Sequence, residues 1–139
     1  MIVYICCAGG LTSSLFCSNI QDAEEDNKIF VDDIKTVFTL YKKGQLGRCD
    51  YVLAYGPAEN INKAFIDEYN FEDFIDLILI SPQARFLLKS ITNLVSPLNI
   101  PCDVIDMRTF GTMNGKEGLK LIQKYENIKS KNLRVGDMV

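Results

Sequence analysis

Five short strand-like runs, at residues 1–6, 28–33, 51–56, 75–80 and 101–106, divide the chain, and the intervals between them carry apolar residues at helical spacing. Strands and helices in strict alternation leave few architectures open, because each helical crossover returns the chain parallel to the preceding strand and covers one face of the sheet. The expected fold class is α/β: a three-layer doubly wound sandwich, with a mostly parallel sheet of four to five strands and helices on both faces. Residues 75–80 are almost wholly apolar, which suits a central strand covered on both sides. Helices are expected at 12–25, over Ile34, Val37, Phe38, Leu40 and Tyr41, over 61–69, from Pro82 along an apolar face of Phe86, Leu87, Ile91, Leu94 and Val95, and at 117–128. The aromatics Tyr4, Phe38, Phe65, Phe74 and Phe86 have core spacing, and from about 129 to 139 the tail is polar enough to fray. With 139 residues, 47% of them hydrophobic, the chain suits one domain with a sizeable core and leaves no room for a second.

The loop after the first run concentrates the chemistry. Cys7, Ala8, Gly9, Gly10, Leu11, Thr12, Ser13 and Ser14 are mostly small, hydroxylated or glycine. Leu15, Phe16 and Ile20 then recur at helical spacing, with Thr12 or Ser13 as the expected N-cap. A strand, tight loop and helix N-terminus in this order turn main-chain N–H groups inward, where they hold an anion without a cationic side chain. Cys7 is expected at the mouth of that cradle, where a thiolate is stabilised and the oxygens of a phosphoryl group on sulfur are held. The competing reading of Cys7 is an inert small residue in a tight turn. Cys6 points to the opposite side of its strand and reads as core, and Cys17 reads as packed inward behind the loop.

Composition narrows the classes of function. A formal charge of −3 provides no basic footprint, so nucleic acid is not an expected partner. No apolar run approaches membrane-spanning length, and the start lacks a basic region followed by a long apolar one, so neither direct membrane insertion nor export is expected. Five cysteines at irregular spacing do not resemble a disulfide framework and point to the reducing cytosol. The chain has no histidine. Ser-His-Asp and Cys-His nucleophile pairs and histidine-based zinc sites are therefore excluded, and no metal or cofactor is expected. Cys7 remains the best candidate for covalent chemistry.

The loop alone leaves two chemistries open. Low-molecular-weight tyrosine phosphatases and arsenate reductases of that fold carry an arginine six positions after their cysteine to grip the phosphate. Here that position is Ser13, and the first arginine is Arg48. A phosphatase-like hydrolase is disfavoured, since the guanidinium fork that stabilises its transition state is missing.

The segment from Val3 through Cys6, Cys7, Ala8, Gly9, Gly10, Leu11, Thr12 and Ser13 to Ser14 resembles the signature of the enzyme IIB component of the lactose/cellobiose (chitobiose) type in the bacterial phosphoenolpyruvate-dependent sugar phosphotransferase system. Two further segments are similar to that family in order and spacing. The run from Asp76 to Ser81, Pro82 and Gln83 resembles a strand ending in Gly-Pro-Gln, and the stretch from Ile100 through Asp106, Arg108 and Phe110 to Gly115 resembles the last strand and its turn. The run ending in Gly56 and Pro57 is a second candidate for the middle segment; the later run is chosen because Gln83 follows it, which leaves residues 51–56 as an extra strand in an enlarged 33–74 region. Ala8 stands where the family has serine, Gly9 where it has alanine, Ser81 where it has glycine, and Phe110 where tyrosine is common.

The resemblance implies a cytoplasmic phosphoryl carrier in sugar transport. Cys7 would accept phosphate from a phosphohistidine of enzyme IIA and pass it to a sugar at the membrane-embedded enzyme IIC, with Ala8 through Ser14 holding the phosphoryl oxygens and Gln83, Arg108 and Phe110 as further contributors. Gln83 either closes over the loop or caps the helix behind Pro82; Arg108 meets the phosphoryl group, an acidic partner or only solvent; Asp106 caps a turn. The lack of an acid or arginine beside Cys7 suits a carrier better than a hydrolase. A regulatory relative that binds partners without transport is the rival reading.

Overall fold

The computed structural model describes residues 1–9, 11–26 and 28–137, with side chains through residue 129. The expected runs become β1 (Ile2–Cys7), β2 (Ile29–Asp33), β3 (Tyr51–Pro57), β4 (Leu77–Ile80) and β5 (Cys102–Val104). They form one sheet in the order β2-β3-β1-β4-β5, and every pairing is parallel. β3, from the run ending in Gly56 and Pro57, lies inside the sheet between β2 and β1.

Alternation along β1 assigns the two faces. Val3, Ile5 and Cys7 pack on one side with Phe16, Cys17 and Ile20 of α1 (Leu11–Ala23) and Leu119 and Ile122 of α7 (Gly115–Asp137). Tyr4 and Cys6 point the other way, as the sequence predicted for Cys6, toward α2 (Ile34–Lys42), α3 (Lys63–Glu68), α4 (Phe71–Phe74) and α5 (Leu88–Val95). Right-handed crossovers explain the division. The chain steps outward from β1 to β2 across one face, then returns through β3, β4 and β5 across the other. The segment leaving β1 and those leaving both its neighbours thus diverge to opposite faces, which opens a crevice at the carboxyl end of β1.

Two glycines let α7 approach α1. A Cβ on Gly115 would lie 2.1 Å from the Asn19 carbonyl oxygen, and one on Gly118 would lie 2.8 Å from the Phe16 ring. Opposite, Phe71 sits edge-on to Tyr4 and Phe65 with ring centroids at 5.5 and 5.6 Å.

Several local expectations are corrected. α1 starts at Leu11, so Thr12 and Ser13 lie inside its first turn rather than at its cap; Gly10 lies outside the described residues, as does Asn27 beyond the helix end at Ala23. The helix expected over 61–69 ends at Glu68, and Asn70 in left-handed backbone separates it from α4. Phe86 is 75% exposed rather than core, because Pro82–Leu87 is a 3₁₀ segment whose three-residue turn rotates Phe86 away from the face that Ile91 and Val95 bury. α7 runs beyond residue 128 to Asp137, since neither proline nor glycine interrupts it between Gly118 and Gly136; residues 138–139 lie outside the described residues.

Candidate functional site

The carboxyl ends of β1, β3 and β4 converge around Cys7. Its carbonyl accepts the N–H of Ala58 at 2.9 Å from the turn after β3, and the carbonyl of Cys6 accepts the N–H of Ser81 at 2.8 Å from the end of β4. Cys7 is held on both sides by main chain that ends in a proline-containing turn.

The helix N-terminus reaches the sulfur. The N–H of Ser13, at the third position of α1, donates to Cys7 Sγ at 3.2 Å. The first N–H groups of a helix have no carbonyl within the helix to bond, and here one of them is satisfied by sulfur. A main-chain donor aimed at a sulfur favours negative charge on it. Cys7 itself is only 1% exposed, so the sulfur lies beneath the loop rather than at its mouth. Ser13 is fully buried, Leu11 and Thr12 are exposed, and the Ser14 hydroxyl donates to the Leu11 carbonyl at 2.7 Å.

An acid that sequence reasoning missed also meets the loop. The N–H of Gly9, whose φ is +80°, donates to the Glu59 carboxylate at 2.9 Å. Glu59 is 50 residues away in sequence, and only the β1–β3 register brings it here. Next to it, an open cleft of about 410 Å³ is lined by Gly9, Leu11, Ser14, Asp33, Tyr55 and Pro57.

The other candidates fall in different places. Phe110, 2% exposed, packs against Phe16 with ring centroids 5.1 Å apart and the rings tilted by 39°, so it helps to seat α1. Gln83 is exposed and its side chain makes no hydrogen bond with the described residues, and Arg108 is exposed on α6 (Met107–Gly111). Asp106 caps α6: the Thr109 hydroxyl, at 2.6 Å, and the Thr109 N–H, at 2.8 Å, hold its carboxyl below the usual carboxylate range. Cys17 is buried behind the loop as expected, and burial, with Cys7 nearby, pushes its thiol up; burial also pushes up Cys6. These two are poor nucleophiles. Among the described residues no cluster of metal-ligating side chains occurs, and no helix is long and apolar enough to cross a membrane.

Exposed apolar side chains rim the same end of the sheet. Leu11 (84% exposed) and Leu15 follow β1, Phe86 follows β4, and Met107 (68%) follows β5.

No protein-family model and no curated protein matches the chain. Among solved structures, it is similar to the solution structure of a cellobiose-specific phosphotransferase IIB component protein from Borrelia burgdorferi, at 23% identity over 91% of this chain and 93% of that one, with a TM-score of 0.54. The alternating strands and helices read from the sequence, the parallel sheet and this likeness agree on one architecture: the chain has the α/β fold of that IIB component.

Proposed function

We propose that the protein is a phosphoryl carrier of the enzyme IIB type in a lactose/cellobiose-like sugar phosphotransferase system. The observation that carries this reading is the Ser13 N–H directed at Cys7 Sγ from a helix N-terminus, in a fold shared with a IIB component. Cys7 attacks the phosphorus of a phosphohistidine on enzyme IIA. The S–P bond forms as the N–P bond breaks, and the thiol proton leaves to the freed imidazole or to water. In the second half the S–P bond breaks as a sugar hydroxyl bonds phosphorus at enzyme IIC, the sugar releases its proton, and Cys7 returns to the thiol. Transfer of this kind needs in-line positioning and stabilisation of charge on the phosphoryl oxygens, a role for loop N–H groups such as those of Gly9 and Ser13 once they turn from Glu59 and the sulfur to the phosphoryl group. Because Cys7 is buried, the loop has to move outward to admit the phosphoryl group, and Gly9 in left-handed backbone supplies a joint for that movement. The exposed rim of Leu11, Leu15, Phe86 and Met107 gives partner proteins an apolar face around the sulfur. The reading sets the protein in the cytoplasm.

Incubation with phosphorylated enzyme IIA, followed by intact mass measurement, tests the reading. One phosphoryl group should add to the wild type and none to Cys7→Ser; addition to both, or to neither, refutes it. Glu59 at the loop favours a second reading, a hydrolase in which a carboxylate assists release of phosphate. Hydrolysis of p-nitrophenyl phosphate that depends on both Cys7 and Glu59 would support it.

A further inference from the structure

Ser81 is fully buried, and its hydroxyl has no hydrogen-bond partner among the described residues. Buried hydroxyls are almost always paired, so an unpaired one beside a reactive group asks for a reason. The register of the sheet locates it. Cys6 pairs with Ile80, and the Ser81 N–H donates to the Cys6 carbonyl at 2.8 Å, so one step further along the ladder Ser81 stands opposite Cys7. Its backbone is extended, with φ −61° and ψ 152°, a conformation that the ring of Pro82 enforces on the residue before it. Side chains alternate along an extended strand. Leu79 packs on the face of Val3, Ile5 and Cys7, whereas Ile80 packs on the other, so Ser81 returns to the Cys7 face. Residues paired across neighbouring strands lie about 4.8 Å apart, a span that a serine hydroxyl and a group on a cysteine sulfur bridge together.

We propose that the Ser81 hydroxyl donates a hydrogen bond to the phosphoryl group carried by Cys7, a proposal that rests on the carrier reading. The S–P chemistry is unchanged; Ser81 adds one donor from β4 to those that the loop supplies from the side of α1. In the thiol form Ser81 has no charged acceptor to meet, which accounts for its unpaired oxygen, and the phosphoryl form supplies one.

The test compares wild type, Cys7→Ser and Ser81→Ala with phosphorylated enzyme IIA, following phosphoryl uptake by intact mass, with thermal midpoints measured alongside. Ser81→Ala should take up phosphate about tenfold more slowly, as expected on losing one hydrogen bond to a charged group, with a midpoint unchanged or raised. A structural serine would lower the midpoint and leave uptake alone. Equal uptake rates overturn the Ser81 proposal while the carrier reading stands. If the wild type takes no phosphate on Cys7, the carrier reading fails, and orthovanadate binding decides Ser81 separately: about tenfold weaker binding by Ser81→Ala upholds an anion-binding role, and equal or undetectable wild-type binding overturns it.

Discussion

Replacing Gly115 with alanine tests whether the seat of α1, and with it the loop around Cys7, depends on close approach of α7. The added Cβ would lie 2.1 Å from the Asn19 carbonyl oxygen, 2.5 Å from its carbon and 2.9 Å from the Ile20 nitrogen. All three are backbone atoms, so no side chain can rotate out of the way. Ordinary contact starts near 3.4 Å, which demands a separation of more than 1 Å at the crossing of α1 and α7. Such a shift loosens Phe16 and Ile20 against Leu119 and Ile122. Overpacking of this kind costs about 1–3 kcal/mol. The better helix propensity of alanine returns at most about 1 kcal/mol, less at the first position of a helix. The expected result is a thermal midpoint lowered by roughly 3–8 °C, read by circular dichroism. Gly111→Ala is the control: nothing lies within 4 Å of its Cβ, so its midpoint should stay level or rise. The sign is decisive, because a glycine in an open helix gains from the same change. A Gly115→Ala protein as stable as the wild type would refute the argument.

Three other outcomes are expected. Glu59→Gln removes the anion already bonded to the Gly9 amide, so phosphoryl uptake by Cys7 should rise a few-fold in the intact-mass assay, and a fall would assign Glu59 a productive role instead. Asp106→Ala should cost about 1 kcal/mol at neutral pH in urea melts as α6 loses its cap. Because the Thr109 hydroxyl and amide lower the folded pKa, that stabilisation is full above the ordinary carboxylate value and is lost as pH falls through the folded value, so the gap between wild type and variant should close on acidification from about pH 5 toward pH 2. Phe86→Ser should leave the thermal midpoint within about 2 °C, since Phe86 is 75% exposed, while slowing transfer from enzyme IIA; unchanged transfer would remove Phe86 from the docking face.

The parts of the fold set by local pattern were legible in the sequence. The apolar run of β1, the glycine-rich stretch after it and the helical spacing of Phe16 and Ile20 all specify neighbours a few residues apart, and Cys6, Cys17 and Asp106 followed from the same arithmetic. What escaped depends on other kinds of information. Phe86 was misplaced because apolar spacing does not reveal that a proline-led segment winds three residues per turn instead of 3.6. The depth of Cys7 depends on which helix amide turns toward the sulfur, and Glu59 depends on strand order in the sheet. Ser81 was visible only as an exchanged residue before Pro82; its meaning comes from standing opposite Cys7.

The position of β1 between β3 and β4 has a consequence for synthesis. Both flanking strands are made after it, and the second is finished only at Ile80. Until a growing chain has passed that point, the thiol of Cys7 lacks one wall of its chamber and meets whatever oxidant or electrophile the translating cell contains. The protein thus begins life with its most valuable atom unguarded, and prompt pairing of distant strands is what closes the door.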